Sequence, residues 1–249
     1  MSPGSVVVTG ANRGIGLGLI HQFLKDQNIR HIIATARDVE KASELNAIKD
    51  SRLHILSLSV TCDESIDAFV LKVGEIVGDN GLNLLVNNAG VFLDYVSKST
   101  PNRALLTEQL AVNTVSVVIL TQKLLPLLRK AASNVSGDSL SISRSAVITI
   151  SSLYGSISLN TGTADSPDLA YKLSKTAVNQ FNKTFTIDLK DDHILFASIS
   201  PGWVQTDMGG KDADLTVEQS TGELVAGFYK LGTEHNGGFF DRNLNVNLY

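Results

Sequence analysis

Ser5-Val6-Val7-Val8-Thr9-Gly10-Ala11-Asn12-Arg13-Gly14-Ile15-Gly16 runs from β-branched apolar residues into a glycine-rich turn, and an apolar stretch of helical period follows. Ser5–Thr9 reads as a buried strand and Ile15–Asp26 as a helix, with the glycines permitting the sharp turn between them. Glycine also lets a pyrophosphate reach the backbone, and a helix amino terminus offers unpaired N–H groups at the positive end of its dipole. The spacing is Gly-x3-Gly-x-Gly, wider than the common dinucleotide fingerprint. A turn that closes a strand–helix unit and binds nothing is the plain alternative. The strand–turn–helix context favours a phosphate.

The same alternation continues outward from this stretch. His31–Ala36, Leu53–Leu58, Leu82–Asn87, Ala146–Ser151 and Leu195–Ser200 are further strand-like runs, and Gly238–Phe240 is weaker material for an edge strand. Helical periods fill Asp63–Val77, Arg103–Lys130 and Leu169–Leu189, with Pro126 expected to kink the second. Near-continuous apolar strands separated by helices imply parallel crossovers and burial on both sheet faces. The expected fold is therefore α/β, a doubly wound parallel sheet with helices on both faces. Ligands of such sheets lie beyond the carboxyl ends of the strands. Long polar connections are expected at Phe92–Asn102, Ser133–Ser145 and Leu153–Asp168, and Gly209–Ser220 reads as a mobile lid.

Composition narrows the class. A length of 249 residues suits one undivided α/β domain over residues 1–249, and 43% hydrophobic with 18% charged residues is globular. A net charge of −4 argues against a nucleic-acid or anionic-membrane partner. Cys62 is the one cysteine, so no intrachain disulfide forms, and the five histidines are too scattered for a metal site. No signal-like segment opens the chain, and no apolar run approaches the roughly 20 residues of a membrane span. A cytoplasmic protein is expected.

Chemistry concentrates after the strands. The position that is acidic in NAD-binding folds holds Ala36, followed by Arg37, while Arg13 stands inside the glycine loop. Two cations and no carboxylate favour a 2′-phosphate, hence NADP(H). Tyr171 and Lys175 are one turn apart on a helix, where an ammonium is expected to lower the phenol pKa toward the neutral range. Ser151 and Ser152 end the fifth strand; strand alternation sends them to opposite faces, so only one can serve the site. Asn113 is a polar amide in an apolar helical stretch and needs a partner.

Thr9-Gly10-Ala11-Asn12-Arg13-Gly14-Ile15-Gly16, Asn87-Asn88-Ala89-Gly90, Asn113, Tyr171-Lys172-Leu173-Ser174-Lys175 and Pro201-Gly202 occur in the order found in short-chain dehydrogenases/reductases. The chain resembles that family over almost its whole length. The resemblance implies a Rossmann-type fold and a catalytic set of Asn113, Ser152, Tyr171 and Lys175, with Asn113 holding a water that passes protons to the lysine. It implies cofactor contacts at Gly10, Asn12, Arg13, Gly14, Ile15, Gly16, Arg37, Ser59, Val60, Asn87, Ala89, Gly90, Tyr171, Lys175, Pro201, Val204 and Thr206. Ser59 departs from the family's usual aspartate, which leaves the Val60 backbone as the other adenine contact. Trp203 reads equally as a substrate wall or a core residue.

The long Leu153–Ala170 stretch between Ser152 and Tyr171 resembles the sniffer-type carbonyl reductases. The implied activity is NADPH-dependent reduction of a small-molecule aldehyde or ketone. An NADP-linked hydroxysteroid or prostaglandin-type alcohol dehydrogenase would use the same residues, and a non-catalytic dinucleotide-binding regulator would typically have lost the tyrosine or the lysine. A homodimer through Arg103–Lys130 and Leu169–Leu189 is what the family pattern implies.

Overall fold

The computed structural model describes residues 1–162 and 166–249. Residues 163–165, part of the polar centre of the long loop before Tyr171, lie outside the described residues. The strands are β1 (Ser5–Val8), β2 (His31–Ala36), β3 (Leu53–Ser57), β4 (Leu84–Asn87), β5 (Ala146–Ile150), β6 (Leu195–Ser200) and β7 (Gly238–Asp241). All pair in parallel, in the order β3-β2-β1-β4-β5-β6-β7. The chain winds outward from β1 to β3, then returns to β4 beside β1 and winds the other way. That reversal opens a crevice at the carboxyl edge between β1 and β4.

Burial explains the sheet. β1, β4, β5 and β6 are buried at every position, as strands covered on both faces must be. Val6, Val8, Ile32, Leu84 and Ile148 pack on one side with Leu19 and Phe23 of α1 (Gly14–Leu24) and Phe228 of α7 (Val217–Phe228). Val7, Ile33, Leu85 and Val147 pack on the other with Phe69 of α3 (Asp63–Val77) and Leu124 of α5 (Ser116–Ser133). Toward the carboxyl edge the apolar rows give way to buried Thr9, Thr35, Asn87, Thr149 and Ser198. The edge is thus built polar where a ligand would meet it.

Most expected elements appear within a residue or two of their bounds, and Gly238–Asp241 is the seventh strand. Two short or weakly patterned helices were not expected, α2 (Ser43–Ala47) and α7. The second corrects the lid: Thr216 caps α7 with a reciprocal Thr216–Gln219 capping box, so residues 217–220 are a helical turn. The remaining lid is pinned as well, because Val204 and Leu215 form a parallel bridge and Gln205 Nε2 donates to the Ala213 carbonyl at 2.9 Å.

The second long helix keeps its axis but not its regularity. α4 (Arg103–Leu110) passes into a π turn at Ala111–Val115 and then into α5, which continues through Pro126. The π turn is centred on Asn113, and such turns recur at functional positions. Contrary to the reading that no apolar run approaches a membrane span, Arg103–Ser133 is long and apolar enough for one by length and composition. Here its apolar face is spent on the core, with Val117, Leu120, Leu124 and Leu128 buried.

One glycine decides how the crevice closes. A Cβ on Gly16 would stand 2.3 Å from the Gly10 carbonyl oxygen and 2.6 Å from Asn88 Nδ2, so α1 approaches the turn more closely than any side chain allows. Gly16→Ala is expected to destabilise the fold by about 1–3 kcal/mol through overpacking, read as a lowered Tm by calorimetry. An unchanged Tm would contradict this packing.

Candidate active site

The glycine turn is held by hydrogen bonds from three strands. Thr9 Oγ1 accepts from the Asn88 and Ala89 N–H groups, both at 2.9 Å, and Gly10 N donates to Thr35 Oγ1 at 3.1 Å. Asn88 Nδ2 donates to the carbonyls of Thr9 at 2.8 Å and Gly10 at 3.1 Å. Gly10 and Gly14 both have positive φ, 63° and 54°, a region that glycine enters without strain. The amino terminus of α1 has no acidic residue in its first turn and no side-chain cap. Close-approach glycines, uncapped N–H groups and absent carboxylates fit the pyrophosphate of a dinucleotide.

Asn88 was not singled out in the sequence, although it does the most to bind β4 to the turn. Its neighbour Asn87 instead donates to Thr121 Oγ1 of α5 at 3.2 Å, so the Asn87 side chain is turned into the core. Alternation along the strand end could have separated the two. Asn12, Ile15, Ala89 and Gly90 keep partial exposure at the crevice. A Cβ on Gly90 would approach Asn113 Oδ1 to 3.3 Å.

The cations lie at the rim. Arg37 is exposed just past β2, and Ser57 Oγ donates to its carbonyl at 3.3 Å. Arg13 Nη1 pairs with Asp207 Oδ2 at 2.8 Å, both side chains being largely exposed. A surface pair of this kind contributes about 0–1 kcal/mol, little enough for Arg13 to exchange it for a phosphate. Ser59 begins the turn into α3, where its N–H donates to Ser65 Oγ at 2.9 Å, and Val60 beside it is half-buried.

The segment after β6 closes over the glycine turn. Pro201 accepts from Ser220 Oγ at 2.8 Å, Val204 is buried, and Thr206 Oγ1 donates to the Val204 carbonyl at 3.3 Å. A Cβ on Gly14 would meet Thr206 Cγ2 at 3.2 Å, so this threonine faces the turn. Trp203 is no core residue. It is 53% exposed, and its indole N–H donates to the Gly209 carbonyl at 2.7 Å.

Ser152, Tyr171 and Lys175 come together at the carboxyl end of β5. Ser151 Oγ donates to Asn179 Oδ1 of α6 (Leu169–Asp188) at 2.7 Å and is buried. Ser152 points the other way, toward the Tyr171 side chain, and accepts from Tyr154 N at 3.2 Å. Phe92 flanks the Tyr171 ring at a centroid distance of 5.1 Å, and Tyr154 meets it edge-on at 6.3 Å. Lys175 is buried and donates to the Ile150 carbonyl at 2.7 Å, with Nζ 5.4 Å from the Tyr171 ring centre.

Asn113 joins the set through the segment after β4. Its Nδ2 donates to the Val91 carbonyl at 2.9 Å and to Ser174 Oγ at 3.1 Å, while its Oδ1 accepts from Val91 N at 2.8 Å. Both amide hydrogens are taken by protein acceptors, and Oδ1 accepts one of the two hydrogen bonds it can take. What the side chain does is fasten the segment after β4 to α6.

The electrostatics correct an expectation. Lys175 does not lower Tyr171; burial raises the phenol from 10.0 to about 12, with the Ser152 hydrogen bond acting in the opposite direction. The same burial lowers Lys175 from 10.5 to about 8. Tyr171 keeps some exposure at the crevice, and desolvation penalises the charged form of each group.

A sequence profile described as short chain dehydrogenase matches residues 5–215, and the chain belongs to the short-chain dehydrogenase/reductase family of oxidoreductases. Within it the chain is of the sniffer type. The structure of Sniffer from Caenorhabditis elegans is 64% identical, with each chain fully covered and a TM-score of 0.94. That of the carbonyl reductase Sniffer of D. melanogaster is 37% identical, both chains fully covered, with a TM-score of 0.95. An NADPH-bound carbonyl reductase from chicken fatty liver is 36% identical over 100% of this chain and 95% of its own, with a TM-score of 0.94.

Lys175 gives the site a measurable signature. An unfolded lysine titrates near 10.5 and the folded one at about 8, so the buried charge opposes folding below about pH 8. That cost fades as pH rises to about 10.5. Lys175→Met is therefore expected to show its largest gain in stability over the parent chain near neutral pH. A stability difference that is flat across this range in denaturant titrations would refute the assignment.

Proposed function

We propose that this single-domain protein reduces aldehyde and ketone carbonyls with NADPH, using Ser152, Tyr171 and Lys175 with Asn113 as support. The observation that carries the reading is that Ser152 and Tyr171 come together one helical turn from Lys175, which is buried and bonded to the Ile150 carbonyl at 2.7 Å, at the sheet edge shared with the glycine turn. The glycine turn, the amino terminus of α1, Thr206, Arg13 and Arg37 would hold the dinucleotide, with the two arginines suited to a 2′-phosphate. The NADPH-bound carbonyl reductase at 36% identity supports the same cofactor. When bound, NADPH supplies the hydride.

The chain's own groups supply the rest. The Ser152 hydroxyl donates to the substrate oxygen, opposing the charge that develops on it as the carbonyl carbon is reduced. Tyr171, kept as a neutral phenol by its raised pKa of about 12, is a proton donor throughout the neutral range. Lys175, at about 8, exchanges its proton near neutrality and returns one to the tyrosine. Asn113 holds α6 against the segment after β4, keeping both residues in register.

NADPH consumption with a panel of aldehydes, ketones and quinones tests this reading. Tyr171→Phe is expected to lower kcat by about 10²–10⁴-fold while NADPH binding persists; full turnover in that variant would refute the tyrosine's role. Arg37→Ala should weaken NADPH by about tenfold or more and leave NADH unchanged, and equal losses for both would sink the 2′-phosphate assignment. The kcat/KM of the parent enzyme should fall above about pH 8 as Lys175 loses its charge, a profile that Lys175→Met would lack.

A further inference from the structure

Lys172 follows Tyr171 on α6 and has no part in the reaction described above. Its side chain is 11% exposed, and that of its ion-pair partner Asp168 is 5% exposed. Three groups surround the ammonium: Asp168 Oδ2 at 3.4 Å, the Gly162 carbonyl at 2.6 Å, and the Tyr154 ring, whose centre is 5.1 Å away. Asp168 is held in turn by Ser166 Oγ, which donates to Oδ2 at 3.1 Å. Its Oδ1 is buried without a hydrogen-bond partner among the described residues.

A buried cation is costly unless it is paired, and an amphipathic helix has no need of one here. What Lys172 gains by burial is reach. Tyr154, Gly162 and Asp168 stand at the beginning, middle and end of the long connection from Ser152 to Tyr171, and one ammonium contacts all three. Tyr154 then meets Tyr171 edge-on at 6.3 Å with its ring half exposed, and Leu153, Ile157 and Leu159 on the same connection are exposed apolar residues. A connection of this length would otherwise be free to take many conformations.

We infer that Lys172 is a positioning residue: it clasps the connection onto α6 and so sets the Tyr154 ring as a fixed apolar wall beside the Tyr171 ring, suited to a carbonyl bearing a flat aromatic substituent. The inference rests on the reductase reading for its substrate and on the geometry of the clasp for its mechanism. Aromatic rings stack on such a wall with defined offset or edge geometry, and a cation behind the ring holds it in place. A small aliphatic carbonyl gains nothing from the wall.

The experiment compares Lys172→Met and Lys172→Arg in the full chain, with an aryl ketone and a small aliphatic aldehyde as probes. Lys172→Met is expected to raise the KM for the aryl ketone about tenfold, the loss of one ring-anchoring cation contact, with kcat for the aldehyde and NADPH affinity by fluorescence titration unchanged. Chymotrypsin should cut this variant faster at Leu153 and Tyr154. Lys172→Arg, which retains a cation for the ring, should restore both the KM and the resistance. Parent-like KM and cleavage in Lys172→Met overturn the proposal, as does an equal loss of kcat/KM with both carbonyls. Cleavage needs no substrate: if the parent enzyme reduces neither probe, the reductase reading fails, while unchanged cleavage overturns the clasp and faster cleavage supports it. Should Lys172→Met fail to fold, Tyr154→Leu leaves the ion pair intact and must raise the same KM, or the wall is wrong.

Discussion

The hydrogen bond from the Lys175 ammonium to the Ile150 carbonyl, 2.7 Å long, is the contact on which the arrangement of this site depends. It ties the middle of the first turns of α6 to the last residue of β5, and Ser151 and Ser152 come immediately after that residue. The chain then passes α6 at Gly155, where a Cβ would lie 2.9 Å from the Lys175 backbone. Thr176 Oγ1 and Asn179 Nδ2 both donate to the Gly155 carbonyl there, at 3.2 and 3.3 Å. Helix and strand end are thus locked at one level, and Tyr171 has little choice but to face Ser152.

Burial acts on the tyrosine and the lysine with one physical cause and two opposite outcomes. Desolvation keeps the phenol protonated and makes the ammonium readier to give up its proton. For a reductase both directions are useful, since the phenol must arrive as an acid and be reloaded afterwards. The stabilising half of the site lies on the other side of the crevice. There Thr9, Thr35 and Asn88 satisfy the backbone of the glycine turn, leaving the amino terminus of α1 free for an anion. Rigidity on both flanks, with exposed Arg13, Arg37 and Trp203 at the rim, is what a site needs if its cofactor comes and goes while its catalytic groups stay in register.

Much of this was legible beforehand because it follows from local rules. The glycine turn, the strand–helix alternation of a doubly wound sheet and the one-turn spacing of Tyr171 and Lys175 each need only a few neighbouring residues to be read. What local rules leave open has a common source. Asn87 and Asn88, or Ser151 and Ser152, are adjacent and chemically alike; alternation sends the members of each pair to opposite faces, and packing against Thr121 or Asn179 shows which one turns inward. α7 was hidden behind a polar, glycine-containing run because its capping box, Thr216 with Gln219, looked like loop composition. Arg103–Ser133 passes for a membrane span by length and composition, and the burial of Val117, Leu120, Leu124 and Leu128 places one face of it in the core.

By itself the sequence determined the class of the fold, the glycine turn and the identity of the groups available for chemistry, since these rest on periodicity and on residue type. Tertiary structure alone decided how those groups are charged and what they touch. The one-turn spacing predicts that Lys175 draws the phenol pKa down, yet desolvation outweighs the effects that lower it at Tyr171. The sequence marks Asn113 as a polar amide in need of a partner, and only the packed chain shows those partners to be Val91 and Ser174. Solvent exclusion and hydrogen-bond partners are properties of the packed chain, because they are set by residues far apart in sequence that share one small volume.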